Sequence, residues 1–120
     1  MKPKYKISLN FRTQLEKKEI FLVTGLVPTR FSIPRYKPKD VVQRYIWDYI
    51  VNPKTDDLNF EIKKILEKSS IFLPNQAIVN PRIVILFSDS FFPRILRGET
   101  LSNLKRYGLS LEIDDILGGG

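Results

Sequence analysis

The chain has no cysteine and no histidine. These two absences together remove thiol nucleophiles, thiolate and imidazole metal ligands, imidazole bases and disulfides. A zinc enzyme and a Ser-His-Asp hydrolase are both excluded. Carboxylate chemistry stays formally open, but Asp56, Asp57, Asp89, Asp114 and Asp115 form no paired arrangement and read as caps and turn residues, so no enzyme is expected. The lack of disulfides suits the cytoplasm. No apolar run reaches the ~18 residues of a membrane span. The opening Met1-Lys2-Pro3-Lys4-Tyr5-Lys6 leads into an alternating segment, so neither a membrane partner nor a secretory signal is expected.

What is present fits one globular domain over residues 1–120. The chain is 42% hydrophobic and 28% charged, enough apolar content for a core and too much for a disordered segment. The net charge is +7. Bases cluster at Lys2, Lys4, Lys6, Arg12, Lys17 and Lys18, and again at Arg30, Arg35, Lys37, Lys39 and Arg44. Such clusters attract nucleic acid or an acidic partner; a solubilising surface is the plainer reading and the favoured one. Beyond Tyr5, Phe11 and scattered arginines there is no basic-aromatic motif of the single-strand binders, which argues against nucleic acid. From Leu109 to the end the balance reverses, with Glu112, Asp114 and Asp115 and no base.

Periodicity gives the elements. Tyr5, Ile7, Leu9 and Phe11 alternate with polar residues and predict a half-buried strand. Glu19 to Val27 reads as a second strand, punctuated by Gly25 and Pro28, and Arg30 to Ile33 as a third. Over 38–52, Pro38 suits a first helical turn, Asp40 favours the positive end of a helix, and Val41, Val42, Tyr45, Ile46, Tyr49 and Ile50 recur at helical spacing. The main helix is therefore expected there, with Trp47 off its stripe and half-buried against a loop. Asp56 or Asp57 caps a second helix with Leu58, Ile62, Ile65 and Leu66 inward. Pro74 and Pro81 bracket a loop, and Ile83 to Phe87 reads as a strand buried on both faces. Phe91 to Leu96 is ambiguous, with a short strand interrupted at Pro93 as one reading. Thr100 opens a single helical turn closed near Gly108, and Leu109, Leu111 and Ile113 mark a last strand, which could add beside the first. The fold class is α+β.

Three of the six glycines are the last three residues, Gly118-Gly119-Gly120. Glycine costs the most backbone entropy to order and has nothing to pack, so this tail is expected to be a thin flexible strip ending in a carboxylate. A strip without Cβ atoms can thread an enzyme channel, where its carboxylate can attack ATP to form an acyl-adenylate. A frayed end or an added segment explains three terminal glycines equally well.

The tail has company. Arg82-Ile83-Val84-Ile85-Leu86-Phe87, then Gly98-Glu99-Thr100-Leu101-Ser102, then Ile116-Leu117-Gly118-Gly119-Gly120 resemble the closing part of ubiquitin, and Pro38-Lys39-Asp40-Val41-Val42 is similar to the start of that family's helix. Glu19-Ile20-Phe21-Leu22-Val23-Thr24-Gly25 resembles its first strand and turn, with a register using Tyr5–Phe11 and Glu19–Val27 as the first hairpin as the alternative. The resemblance covers residues 19–52 and 77–120. It implies a ubiquitin-like β-grasp: a mixed sheet with the 38–52 helix across it, an added strand or arm at 1–18, an inserted second helix at 53–76 and a flexible tail at 118–120.

Function follows from the resemblance. It implies a protein modifier, to be compared with bacterial ubiquitin-like conjugation systems, some of which act in phage defence. Gly120, supported by Gly118 and Gly119, would be joined to a target protein. The implied partners are an adenylating enzyme that uses ATP, a conjugating enzyme with a reactive Cys and a deconjugating peptidase; the chain itself needs no cofactor. Asp114, Asp115, Ile116 and Leu117 stand where ubiquitin carries bases before its glycines, which implies a different activating enzyme. By the same resemblance Leu86 and Leu26 are candidates for an apolar partner patch, although Leu86 in an apolar run reads as core. Two other functions remain open: a sulfur carrier of the same fold ending in a thiocarboxylate, and a non-covalent basic binding module.

Overall fold

The structure is a computed structural model that describes residues 5–33, 45–87 and 96–114. In chain order its elements are β1 (Tyr5–Thr13), α1 (Lys17–Thr24), β2 (Arg30–Ser32), β3 (Tyr45–Val51), α2 (Leu58–Ser69), β4 (Val79–Phe87), α3 (Gly98–Arg106) and β5 (Ser110–Asp114).

Alternation makes β1 the spine of the molecule. Tyr5, Ile7, Leu9, Phe11 and Thr13 share one face and are all buried. The strand pairs antiparallel with β3 on one side and β4 on the other. The full sheet has the order β2-β3-β1-β4-β5, antiparallel except for the parallel β4–β5 pair. The connections β1-α1-β2 and β3-α2-β4 each skip one strand, giving the doubled split β-α-β arrangement of ferredoxin-like sheets. A parallel neighbour needs a crossover, and α3 supplies it between β4 and β5. The fold is thus α+β, with a five-stranded mixed sheet and three helices among the described residues.

One face of the sheet carries the helices. Ile20 of α1, Leu58, Ile62, Ile65 and Leu66 of α2 and Leu104 of α3 close over Tyr5, Ile7, Leu9, Phe11, Trp47, Ile83 and Ile85 in a single core. Asp57 caps α2 as expected, its Oδ1 accepting from the Phe60 amide at 3.1 Å.

Several expectations need correction. Tyr45–Val51 is a strand, not the second half of a helix. Aromatic and β-branched residues favour a pleated surface, and Tyr45, Trp47, Tyr49 and Val51 face the core side opposite Thr13, Phe11, Leu9 and Ile7. Tyr45, Ile46, Tyr49 and Ile50 match either period, so spacing alone could not decide. Trp47 is 0% exposed and stacks on Phe11 at 4.4 Å rather than lying half-buried against a loop. Residues 38–44, with Pro38, Asp40, Val41 and Val42, lie outside the described residues.

The stretch expected as a strand over 19–27 forms α1. Only Ile20 and Thr24 of the helix are buried, an i, i+4 pair, and the helix stops at Gly25 with φ 69°, the left-handed conformation that glycine adopts without strain. With no strand there, Tyr5–Phe11 forms no hairpin with Glu19–Val27. Residues 1–18 are not an added arm, since Tyr5–Thr13 is the central strand. Residues 53–76 hold not an accessory helix but the one that supplies four core residues. Gly98 to Ser102 opens α3 instead of forming a turn, and α3 is longer than one turn. The last strand lies beside β4, not beside the first strand. The ambiguous stretch 91–95 lies outside the described residues. Pro81 sits inside β4 next to Asn80 at φ 51°, where the pairing with β1 shifts register; a bulge is where a strand tolerates proline.

Candidate functional site

The helices cover one sheet face, and among the described residues no helix packs on the other. Register lays the helix-free face out in rows. One row runs Arg30, Asp48, Asn10, Arg82, Ser110 across all five strands. Beside it runs Ser32, Ile46, Arg12, Val79 on one side and Ile50, Ser8, Val84, Glu112 on the other. Lys6, Leu86 and Asp114 form the outermost row.

Side chains in these rows are bonded into a chain. The Asp48 carboxylate accepts from the Ser8 hydroxyl at 3.3 Å and from the Asn10 amide nitrogen. Asn10 Oδ1 accepts from Arg82 Nε at 3.0 Å, and Arg82 donates from its terminal nitrogen to Glu112 at 2.7 Å. Ser8 and Asn10 are buried at 5% and 8% exposure, so their partners are fixed rather than exchanged with water. Sequence pattern marked Ser8 and Asn10 only as the outward half of an alternating strand. Finding them required the pairing of β1 with β3 and β4, which no local signal carries.

Charge on this face is unevenly spread. Lys6, Arg12 and Arg30 are exposed and make no ion pair among the described residues. Arg82, by contrast, is neutralised by Glu112. The remaining carboxylate of β5, Asp114, lies at the far edge beside Leu86. The aromatic rings of the sheet, Tyr5, Phe11, Phe31, Tyr45, Trp47, Tyr49 and Phe87, all occupy the helix-covered side.

A second polar cluster lies at the start of α2. Tyr5 donates its hydroxyl to the Thr55 carbonyl at 2.8 Å, and the Thr55 hydroxyl donates to Glu61 Oε2 at 2.7 Å. Lys64 Nζ approaches Glu61 Oε1 at 3.0 Å as an ion pair without hydrogen-bond alignment. Burial alone would raise the Glu61 carboxyl; the bonds from Thr55 and the charge of Lys64 outweigh it and hold it below the ordinary range. Burial, and then the charges of Glu61, Asp56 and Asp57, raise the Tyr5 phenol. Every group in this cluster has a partner that ties strand, loop and helix together, so its role is structural.

The residues singled out from sequence are dispersed. Leu86 is half-buried on the helix-free face between Lys6 and Asp114. Leu26 is on the opposite side, packed against the core after α1. Asp114 ends β5. Asp115, Ile116, Leu117, Gly118, Gly119 and Gly120 lie outside the described residues. Among the described residues no cluster of acids could hold a metal ion, and no helix is long and apolar enough to cross a membrane. Comparison with known protein families, curated proteins and solved structures finds no match.

Proposed function

We propose that the chain is a non-catalytic interaction module that docks a protein on the helix-free face of its sheet. The observation that carries this reading is the bonded chain Asp48–Asn10–Arg82–Glu112, pre-ordered on the helix-free face and flanked by Lys6, Arg12 and Arg30, which make no ion pair among the described residues. A fixed polar surface costs little to order on binding. Nucleic acid fits it less well, because base stacking needs rings on the binding face, and among the described residues the rings of the strands lie on the helix-covered side. The test is site-specific photo-crosslinking in cells. Probes at Ser32 and Ile50 are expected to give protein adducts, and probes at Glu67 and Ser102 on the helix side none. Adducts confined to the helix side, or adducts to nucleic acid, would refute it.

A second reading follows from the tail. Gly118-Gly119-Gly120 follows β5 closely in sequence, and a glycine carboxylate freed at Gly120 would suit adenylation by a partner enzyme and transfer to a target, or loading with sulfur. The resemblance to ubiquitin adds less support than its residues promised, since 19–24 is helical and 45–51 extended. Its test is pyrophosphate release with a cognate adenylating enzyme and ATP. Release that survives amidation of the Gly120 carboxylate would end this reading, while mass spectrometry separates a sulfur adduct from a protein conjugate.

A further inference from the structure

We infer that the partner of the helix-free face is an acidic, extended protein segment with two carboxylate side chains flanking an apolar one; this rests on the reading of that face as a docking surface. Charge complementarity carries the inference. Arg12 on β1 and Arg30 on β2 are exposed and make no ion pair among the described residues, and β3 lies between them. Ile46 of β3 stands directly opposite Arg12 and one row from Arg30. Strands ~4.8 Å apart and a residue rise of ~3.4 Å put the two arginine Cα atoms roughly 12 Å from each other. In an extended segment, side chains on one face separated by roughly four residues span about the same distance, and the residue midway points the same way. Such a segment sets an acid on each arginine and an apolar side chain over β3 between Ile46 and Asp48.

The rest of the face orients it. Asp48 is the one acid of β1, β2 and β3 among the described residues, and its carboxylate is occupied by Ser8 and Asn10. Lys6 adds a third base on β1. At the opposite edge Glu112 is spent on Arg82, and Asp114 on β5 repels an acidic chain and steers it towards β2, β3 and β1.

The test is fluorescence anisotropy with the full chain and labelled peptides. One probe carries Glu-Ser-Leu-Ser-Glu, a second Lys-Ser-Leu-Ser-Lys and a third the two glutamates adjacent; a single-stranded oligouridylate is the fourth. The first is expected to bind best, with affinity falling as salt rises. Arg12→Gln and Arg30→Gln should each weaken it about threefold, and Arg12→Glu or Arg30→Glu roughly tenfold. Lys105→Glu, on α3 across the molecule, should change nothing. Equal binding of the lysine or adjacent-glutamate probe, or indifference to both arginine reversals, overturns the inference. If the acidic probe fails to bind while photo-crosslinks still map to Ser32 and Ile50, the docking surface stands and the acidic partner falls. Arginine-dependent binding of the oligouridylate alone overturns both.

Discussion

Replacing Asp48 by alanine removes the acceptor that holds the middle of the helix-free face together. The Asn10 amide then keeps a donor with no partner at a site 8% exposed, and the Ser8 hydroxyl, 5% exposed, loses its more distant contact. A hydrogen bond to a charged group contributes about 1.5–3 kcal/mol, and the partly exposed carboxylate and the long Ser8 contact pull the sum towards ~2 kcal/mol. Asp48→Asn keeps an oxygen for Asn10 but gives up the charge, and should cost about 1 kcal/mol. Urea unfolding measures both. The single tryptophan, Trp47, is fully buried and reports the transition by fluorescence. With a slope of roughly 1.5–2 kcal/mol per molar urea, Asp48→Ala lowers the midpoint by about 1 M and Asp48→Asn by about half as much. Combined with Asn10→Ala, the alanine variant should lose clearly less than the two separate costs added together, because both remove the same bond. An Asp48→Ala midpoint within about 0.2 M of the parent, or full additivity with Asn10→Ala, would show that the bonded row does not stabilise the face.

Further outcomes follow from the helix layer. Glu61 has a folded value below its ordinary 4.5, so its contribution to stability is fully present above that pH and disappears as pH falls through the lower folded value. In thermal melts across pH, Glu61→Gln should therefore lie well below the parent at neutral pH, and the gap should close under acid; a constant gap would contradict this. Asn59 Oδ1 accepts from the Arg97 amide at 2.9 Å and the Thr100 hydroxyl at 2.7 Å, so a side chain of α2 caps the start of α3. Asn59→Ala should cost about 1–2 kcal/mol in urea unfolding, with hydrogen exchange rising first over Gly98–Leu101. Uniform exchange along the chain would rule out a local cap.

Much of the fold was legible because certain residues leave no choice. Tyr5, Ile7, Leu9 and Phe11 fit only a strand, Asp57 ahead of Leu58, Ile62, Ile65 and Leu66 fits only a capped helix, and Leu111 and Ile113 fit a closing strand. Two elements run against their sequence pattern for opposite reasons. In α1 the run Ile20-Phe21-Leu22-Val23 resembles a strand, yet Phe21 and Leu22 point outward, and the helix is marked by the Glu16–Glu19 capping box at its start and Gly25 at its end. In β3 a helical spacing coexists with alternation, and tertiary pairing with β1 selected the latter. The candidate surface was the least legible part. Ser8, Asn10, Asp48 and Arg82 are distant in sequence, and only strand order makes them neighbours.

The place of β1 also bears on how the protein is made. Of the five strands described, β1 leaves the ribosome before the rest yet lies at the centre of the sheet, and Ile7 is enclosed only when both Val51 and Ile85 have arrived. Until then two long apolar edges wait open, the state in which chaperones bind and nascent chains stick to one another. Chains stopped anywhere before Phe87 should accumulate in inclusion bodies, whereas loss of β5, which only flanks β4, should leave the remaining four strands able to close.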